Sequence, residues 1–420
     1  MWNAVTRFFG LVPPVPKSTD EHREDFASAE SANFAEESEP ASASRSTPVA
    51  AETRLRHIDA LRAIAALLVL WVHVGDAFVH LDGPNALAGA ASQEFISSLN
   101  IGRIGVVMFF LISGFVIPFS LHPQKPAPVR SFLVQRFFRI FPAYWLSIPL
   151  GALTGYWIRG IPFTASDFLV NLTLLQDLFG VPPAEGLYWT LFTELMFYAL
   201  CAVLASMHSL GKPRLLLLIA STFGAIYALA MLSLWVRHPL LETTLAFDFL
   251  NLSIMLCGTL CRQLLIEAGA TSDRWARFGI LGLLAGYLIV LPAITIPLAG
   301  FWGNAQVAYA LGLLLFLVGE RWVRIRTRLT DWLGAISYSI YLFHPVVFMA
   351  TLWLLQRQPQ GSWWRTQHLA VYLLANLALT LLLAQAVHRW VEQPGIRLGR
   401  RCAKALQRRQ NREQIHSATA

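Results

Sequence analysis

Arg62 and His73 lie eleven positions apart inside one apolar stretch that runs from His57 to His73. Eleven residues make about three helical turns, so both side chains leave the same helix face, about 16 Å apart along its axis. That distance is half of a bilayer core of about 30 Å. A cation and a titratable base are thereby strung along one stripe at two membrane depths. Ionisable groups are costly inside a spanning helix and mark substrate or proton paths.

The elements that must carry this pair are membrane helices. The 420 residues are 55% hydrophobic and 14% charged, with a mean hydropathy of +0.50. This is the profile of a polytopic membrane protein, in which most helices face lipid or each other. The expected fold is all-α, with about ten transmembrane helices near 58–80, 102–121, 133–155, 187–207, 214–235, 246–266, 277–297, 303–320, 333–355 and 369–389. Pro142, Pro149 and Pro292 are expected to kink their helices or delay their start. Three of the four cysteines, Cys201, Cys257 and Cys261, sit in apolar segments and Cys402 in a basic tail. Neither a disulfide framework nor a metal site is expected from that placement.

Charge sets the orientation. One set of loops carries Arg54, Arg56, Lys125, Arg130, Lys212, Arg214, Arg262, Arg274, Arg277, Arg321, Arg324, Arg326 and Arg328, and the C-terminal tail adds seven more cations. The opposite loops hold only Arg159, Arg237, Arg357 and Arg365, with Arg103 at a span edge. The basic side is expected to be cytoplasmic, which puts both termini inside a bacterial inner membrane. Residues 1–53 read as a disordered cytoplasmic tail, 54–395 as a membrane domain and 396–420 as a basic cytoplasmic tail. Anionic lipid, rather than nucleic acid, accounts for that basic charge.

Topology sorts the remaining polar residues into two layers. Glu194, on the fourth span, falls at about the depth of His73 in the outer half, where a carboxylate would fix an imidazole tautomer and stabilise its cation. Arg136 and Arg139, three apart on the third span, point to the inner level of Arg62. Clustered guanidiniums suit phosphate groups, and equally satisfy the positive-inside rule. Asp59, one turn before Arg62, is expected to pair with it. His344 precedes Pro345, which frees the carbonyl of Tyr341; His344 is either the partner of that carbonyl or a second pocket residue. Ser113-Gly114 would permit close helix approach. Trp189, His344, Ser113 and Tyr144 are the expected substrate-binding residues.

Five motifs occur in order over roughly residues 55–395: Arg62-x10-His73 after Ile58-Asp59-Ala60-Leu61, Phe109 to Phe115, Arg136-x-x-Arg139 with Pro142, Trp189-x4-Glu194-x2-Phe197-Tyr198, and Ser337 to Pro345. Together they resemble the acyltransferase 3 family of integral membrane acyltransferases. The resemblance implies an acyl-coenzyme A donor (acyl-CoA, acetyl-CoA in the first instance) from the cytoplasm and no permanently bound cofactor. It implies a hydroxyl acceptor on a sugar or polysaccharide outside, with His73 as the essential histidine and Arg62 as its partner. Donor phosphates are then expected on Arg136, Arg139 and Arg62, and Glu194 is expected to orient His73 or relay its protons. Whether His73 acts as a base or carries the acyl group itself stays open at this level. Some family members carry a fused hydrolase-like domain outside the membrane. Without one, the chain is expected to complete transfer alone or to hand the acyl group to a separate protein.

The rival reading is a proton-coupled transporter of a glycan or lipid precursor that uses His73 and Glu194 as a relay. No internal repeat between the halves favours it. Acceptor choice is expected in the outer loops 81–100 and 156–186, which carry no readable code.

Overall fold

A computed structural model of the chain describes residues 48–79, 97–121, 126–235, 240–266, 273–296, 301–322 and 327–419, with residues 81, 93, 94 and 325 between them. The helices are α1 (Pro48–Phe78), α2 (Ile101–Val116), α3 (Pro128–Gly155), α4 (Ala165–Asn171), α5 (Tyr188–Ser206), α6 (Pro213–Trp235) and α7 (Thr243–Leu265). They continue as α8 (Arg274–Ala285), α9 (Leu291–Thr295), α10 (Phe301–Arg321), α11 (Arg328–Ala335), α12 (Ser337–Gln356), α13 (Leu369–Val387) and α14 (Gln393–Thr419). Two π-helical turns interrupt the series, Gly286–Val290 and His388–Glu392. The described residues contain no strand.

The chain is an integral membrane protein. Among the described residues, eight helical stretches are long and apolar enough to cross a bilayer. Helices α3 and α10 occupy the other two segments in which spans are expected. The outside of the bundle is apolar: Leu218, Leu374 and Leu382 are each more than 60% exposed. A water-facing surface would disfavour such a band, and lipid does not.

α2 is buried on nearly every side, as expected of a helix that is hydrophobic all round. It packs against α1, α7 and α10. A Cβ on Gly114 would lie 1.7 Å from the Met255 carbonyl oxygen, and one on Gly258 2.2 Å from that of Leu111. The two glycines let α2 and α7 touch backbone to backbone, the close approach that small residues give membrane helices. α1 lies against α2, α11, α12 and α13, while α12 also packs on α3. Of these, α11 meets the Arg62 end of the α1 stripe and α12 the His73 end.

Three local features bear on the expected layout. α3 runs unbroken through Pro142 and Pro149; the carbonyls that proline frees are tolerated where neighbouring helices crowd the site. α1 begins at Pro48, inside the segment read as a tail. A proline at the first helical position followed by Val49-Ala50-Ala51 is a good helix start, and the remainder of that tail lies outside the described residues. The basic C-terminal tail is helix α14, docked on α3 where Gly395 and Gly399 admit the Phe138 backbone and side chain.

Candidate active site

His73 and His344 meet across the α1–α12 interface. His73 Nδ1 stands 2.7 Å from His344 Nε2, and the ring planes differ by 16°. The other nitrogen of His344, Nδ1, is 2.6 Å from the Tyr341 carbonyl oxygen. A carbonyl only accepts, so His344 Nδ1 carries the proton. In a neutral ring Nε2 is then an acceptor. His73 Nδ1 must donate to it, which places the lone pair of His73 on Nε2. One backbone carbonyl on α12 thus sets the tautomers of two imidazoles. The reason lies in the sequence, because Pro345 has no N–H for Tyr341 to accept. His344 is accordingly the carbonyl's partner. Both rings are buried, and Phe348 closes the pair with its centroid 6.5 Å from His73 and 6.2 Å from His344.

Glu194 is fully buried on α5 and accepts the Ser113 hydroxyl at 3.1 Å from α2. At Nδ1 of His73 the partner is His344. Trp189 packs edge-on to Phe110, and its buried Nε1 has no hydrogen-bond acceptor among the described residues. Tyr144 is buried beside the outer loop. Its hydroxyl donates to the Asn171 carbonyl and its ring meets Tyr188 at 4.7 Å, so it braces the outer loop.

The inner layer is held by its own counter-groups. Arg62 is fully buried and donates from Nη1 to Asp59 and to the Gly334 carbonyl, each at 3.4 Å. Gly334 is required there, since a Cβ would lie 2.5 Å from the Asp59 backbone oxygen. Arg139 forms a salt bridge with Glu392, which also accepts from Ser339 at 2.7 Å and sits 3.0 Å from His388 Nδ1. Arg136 donates to Ser120 at 2.9 Å and lies over the rings of Phe132 and Tyr198. Arg262, from α7, converges on the same turn: it lies 4.1 Å from the Phe119 ring and donates to the Phe115 carbonyl at 3.1 Å.

Sequence reasoning missed Glu392 and Arg262. Glu392 sits in the π-turn that follows the last span, and the spacing His388-x3-Glu392 was its available signal. Arg262 was counted only for orientation.

A model of the acyltransferase 3 family, described as an acyltransferase domain, matches residues 55–389. The chain is 26% identical over 390 residues to nodulation protein 10 of Rhizobium leguminosarum bv. viciae, covering 81% of this chain and 93% of that protein. It is 23% identical over 370 residues to the peptidoglycan O-acetyltransferase OatA of Listeria monocytogenes, covering 80% of this chain and 55% of OatA. Over 139 residues it is 33% identical to the exopolysaccharide production protein ExoZ of Rhizobium meliloti, covering 30% of this chain and 39% of ExoZ. No solved structure matches the chain.

Proposed function

The chain belongs to the acyltransferase 3 family, and on that premise we propose that it O-acylates a sugar-containing acceptor with an acyl group from acyl-CoA. The donor is acetyl-CoA in the first instance, offered from the cytoplasmic face of a bacterial inner membrane, and the acceptor is a polysaccharide on the opposite face. The printed names of two relatives, one a peptidoglycan O-acetyltransferase and one an exopolysaccharide production protein, support a glycan acceptor.

The observation that carries the reading is the Tyr341–His344–His73 chain, which leaves His73 Nε2 as the basic nitrogen. His73 Nε2 takes the proton of the acceptor hydroxyl as that oxygen attacks the thioester carbonyl. The C–O bond forms, the C–S bond breaks, and the proton passes from Nε2 to the departing coenzyme A sulfur. His344 holds the imidazolium that forms in between, and Glu194 contributes negative charge on the same outer side. The donor phosphates lie at the inner layer, on Arg136, Arg62 and Arg262. Arg139 is committed to Glu392 and shapes that layer rather than contacting phosphate. The pantetheine arm spans the intervening depth, about 16 Å along α1.

The test is to give the purified full chain radiolabelled acetyl-CoA and de-esterified cell-surface polysaccharide from a strain lacking it. Base-labile label in the polysaccharide is expected. Transport of pre-acylated glycan without any such label would overturn the reading.

A further inference from the structure

Glu185 is the clearest anomaly on the outer side. It is 6% exposed, and neither carboxylate oxygen has a hydrogen-bond partner among the described residues. A buried carboxylate without partners costs stability, and burial holds this carboxyl well above the usual carboxylate range. Nothing in the helix packing requires a carboxylate there.

The surrounding structure nevertheless goes to some length to fix it. Asn171 donates from Nδ2 to the Pro182 carbonyl at 3.0 Å and accepts the Ala184 N–H at 2.9 Å. Tyr156 donates its hydroxyl to the intervening Pro183 carbonyl at 2.8 Å. The three residues before Glu185 are thus pinned in succession, and the Tyr188 N–H reaches the Glu185 carbonyl at 3.3 Å. Room for the side chain comes from Gly151 on α3, where a Cβ would lie 2.6 Å from Glu185 Cγ and 3.1 Å from Oε1.

Glu185 borders a small, partly open cleft together with Gly151, Thr154, Pro345 and Met349. Pro345 directly follows His344 on α12, so the cleft adjoins the histidine pair. Arg159 ties its two walls together, donating to the Thr154 carbonyl from α3 and the Met349 carbonyl from α12, both at 2.9 Å.

We propose that this cleft is an acceptor subsite in which Glu185 receives two adjacent hydroxyls of the acceptor sugar and so directs a neighbouring hydroxyl to His73. A carboxylate has two oxygens in one plane and accepts two O–H donors at once, a match to a vicinal diol. Glu185 is a positioning and specificity residue and takes no part in the proton transfer. The proposal rests on the acyl-transfer reading above and deepens it on the acceptor side.

The test uses the purified full chain with acetyl-CoA as donor and de-esterified cell-surface polysaccharide as acceptor, each titrated at saturation of the other. Glu185→Ala is expected to raise the KM for polysaccharide about tenfold or more, the loss of hydrogen bonds to a charged group, and to leave the KM for acetyl-CoA within about twofold. Glu185→Gln, which keeps one acceptor oxygen, should fall between. Gly151→Ala, which displaces the carboxyl without removing it, should raise the same KM. The melting temperature of the Glu185→Ala protein should equal or exceed that of the unsubstituted protein, because a buried carboxyl without hydrogen-bond partners is gone. A lowered melting temperature with an unchanged polysaccharide KM would make Glu185 a structural residue and overturn the proposal, as would an equal rise in both KM values. Acyl transfer by the unsubstituted protein, measured in the same series, separates either failure from a failure of the acyl-transfer reading itself.

Discussion

Glu392 neutralises Arg139 inside the bundle, across 253 residues of sequence, and does so from a π-helical turn. The carboxylate is fully buried and gathers Ser339 and His388 as well. It therefore joins α3, α12 and the start of α14 at one point. Removing one member of such a pair leaves an uncompensated charge, which costs about 3–5 kcal/mol. Glu392→Gln is expected to lower the melting temperature of the detergent-purified protein markedly. Adding Arg139→Met should recover much of the loss. A Glu392→Gln protein as stable as the parent would show that the pair contributes nothing.

The convergence of Arg136 and Arg262 on the turn at Phe115–Ser120 predicts a donor effect. Neutralising either, as Arg136→Gln or Arg262→Gln, should raise the KM for acetyl-CoA about tenfold, the loss of one charge-assisted contact. The KM for polysaccharide should stay put. Initial-rate kinetics with each substrate varied in turn decides this, and an unchanged acetyl-CoA KM removes that arginine from the donor site.

His344→Ala removes the acceptor that fixes the His73 tautomer. The ring of His73 can then carry its proton on either nitrogen, and kcat should fall about a hundredfold, within the range of general-base effects. His344→Gln, whose side-chain oxygen can accept from His73 Nδ1, should retain more activity than the alanine variant. Equal activity of the two would mean that the hydrogen bond to His73 is not what matters.

Burial raises the Glu185 carboxyl, so its titration should be visible in two ways. It ionises only above the usual carboxylate range, and the ionised form accepts one more hydroxyl than the acid, so the KM for polysaccharide should fall as pH rises through that point. Stability moves the opposite way. A group whose folded pKa is raised contributes stability below its unfolded value, and that contribution is lost as pH rises through the folded one. The facing groups are the hydroxyls of Tyr144 and Tyr188, His344 beside the cleft on α12, and Arg159, whose guanidinium burial lowers to about 10. Glu185→Gln should abolish both trends while leaving any that His344 contributes. Identical pH profiles for the two proteins would contradict the assignment.

Much of this was legible in the residues themselves. Apolar runs of bilayer length announced the helices, and the Arg62–His73 stripe announced which face of α1 matters. Ser113-Gly114 announced a close approach, because a residue without Cβ has little other use on a packed helix. The partner of His73 was harder to read. Depth matching brought Glu194 to its level, but which of two outer-half groups touches Nδ1 depends on the rotation of α12, and hydropathy does not encode rotation. Glu392 and Glu185 were hidden for a related reason. Both lie just outside a span, in a π-turn and a loop, where a carboxylate ordinarily meets water and attracts no notice. Only the docking of α14 on α3, and the pinning of residues 182–184 by Asn171 and Tyr156, buries them.

The central claim is that His73 Nε2 is the base for acyl transfer. The most direct measurement is the single-turnover rate of acetyl transfer to de-esterified polysaccharide by His73→Ala protein, with insertion and melting temperature matched to the parent. A fall of about a hundredfold or more, with acetyl-CoA binding retained, is the predicted result. A folded, inserted His73→Ala protein that transfers acetyl at the parent rate would contradict the account.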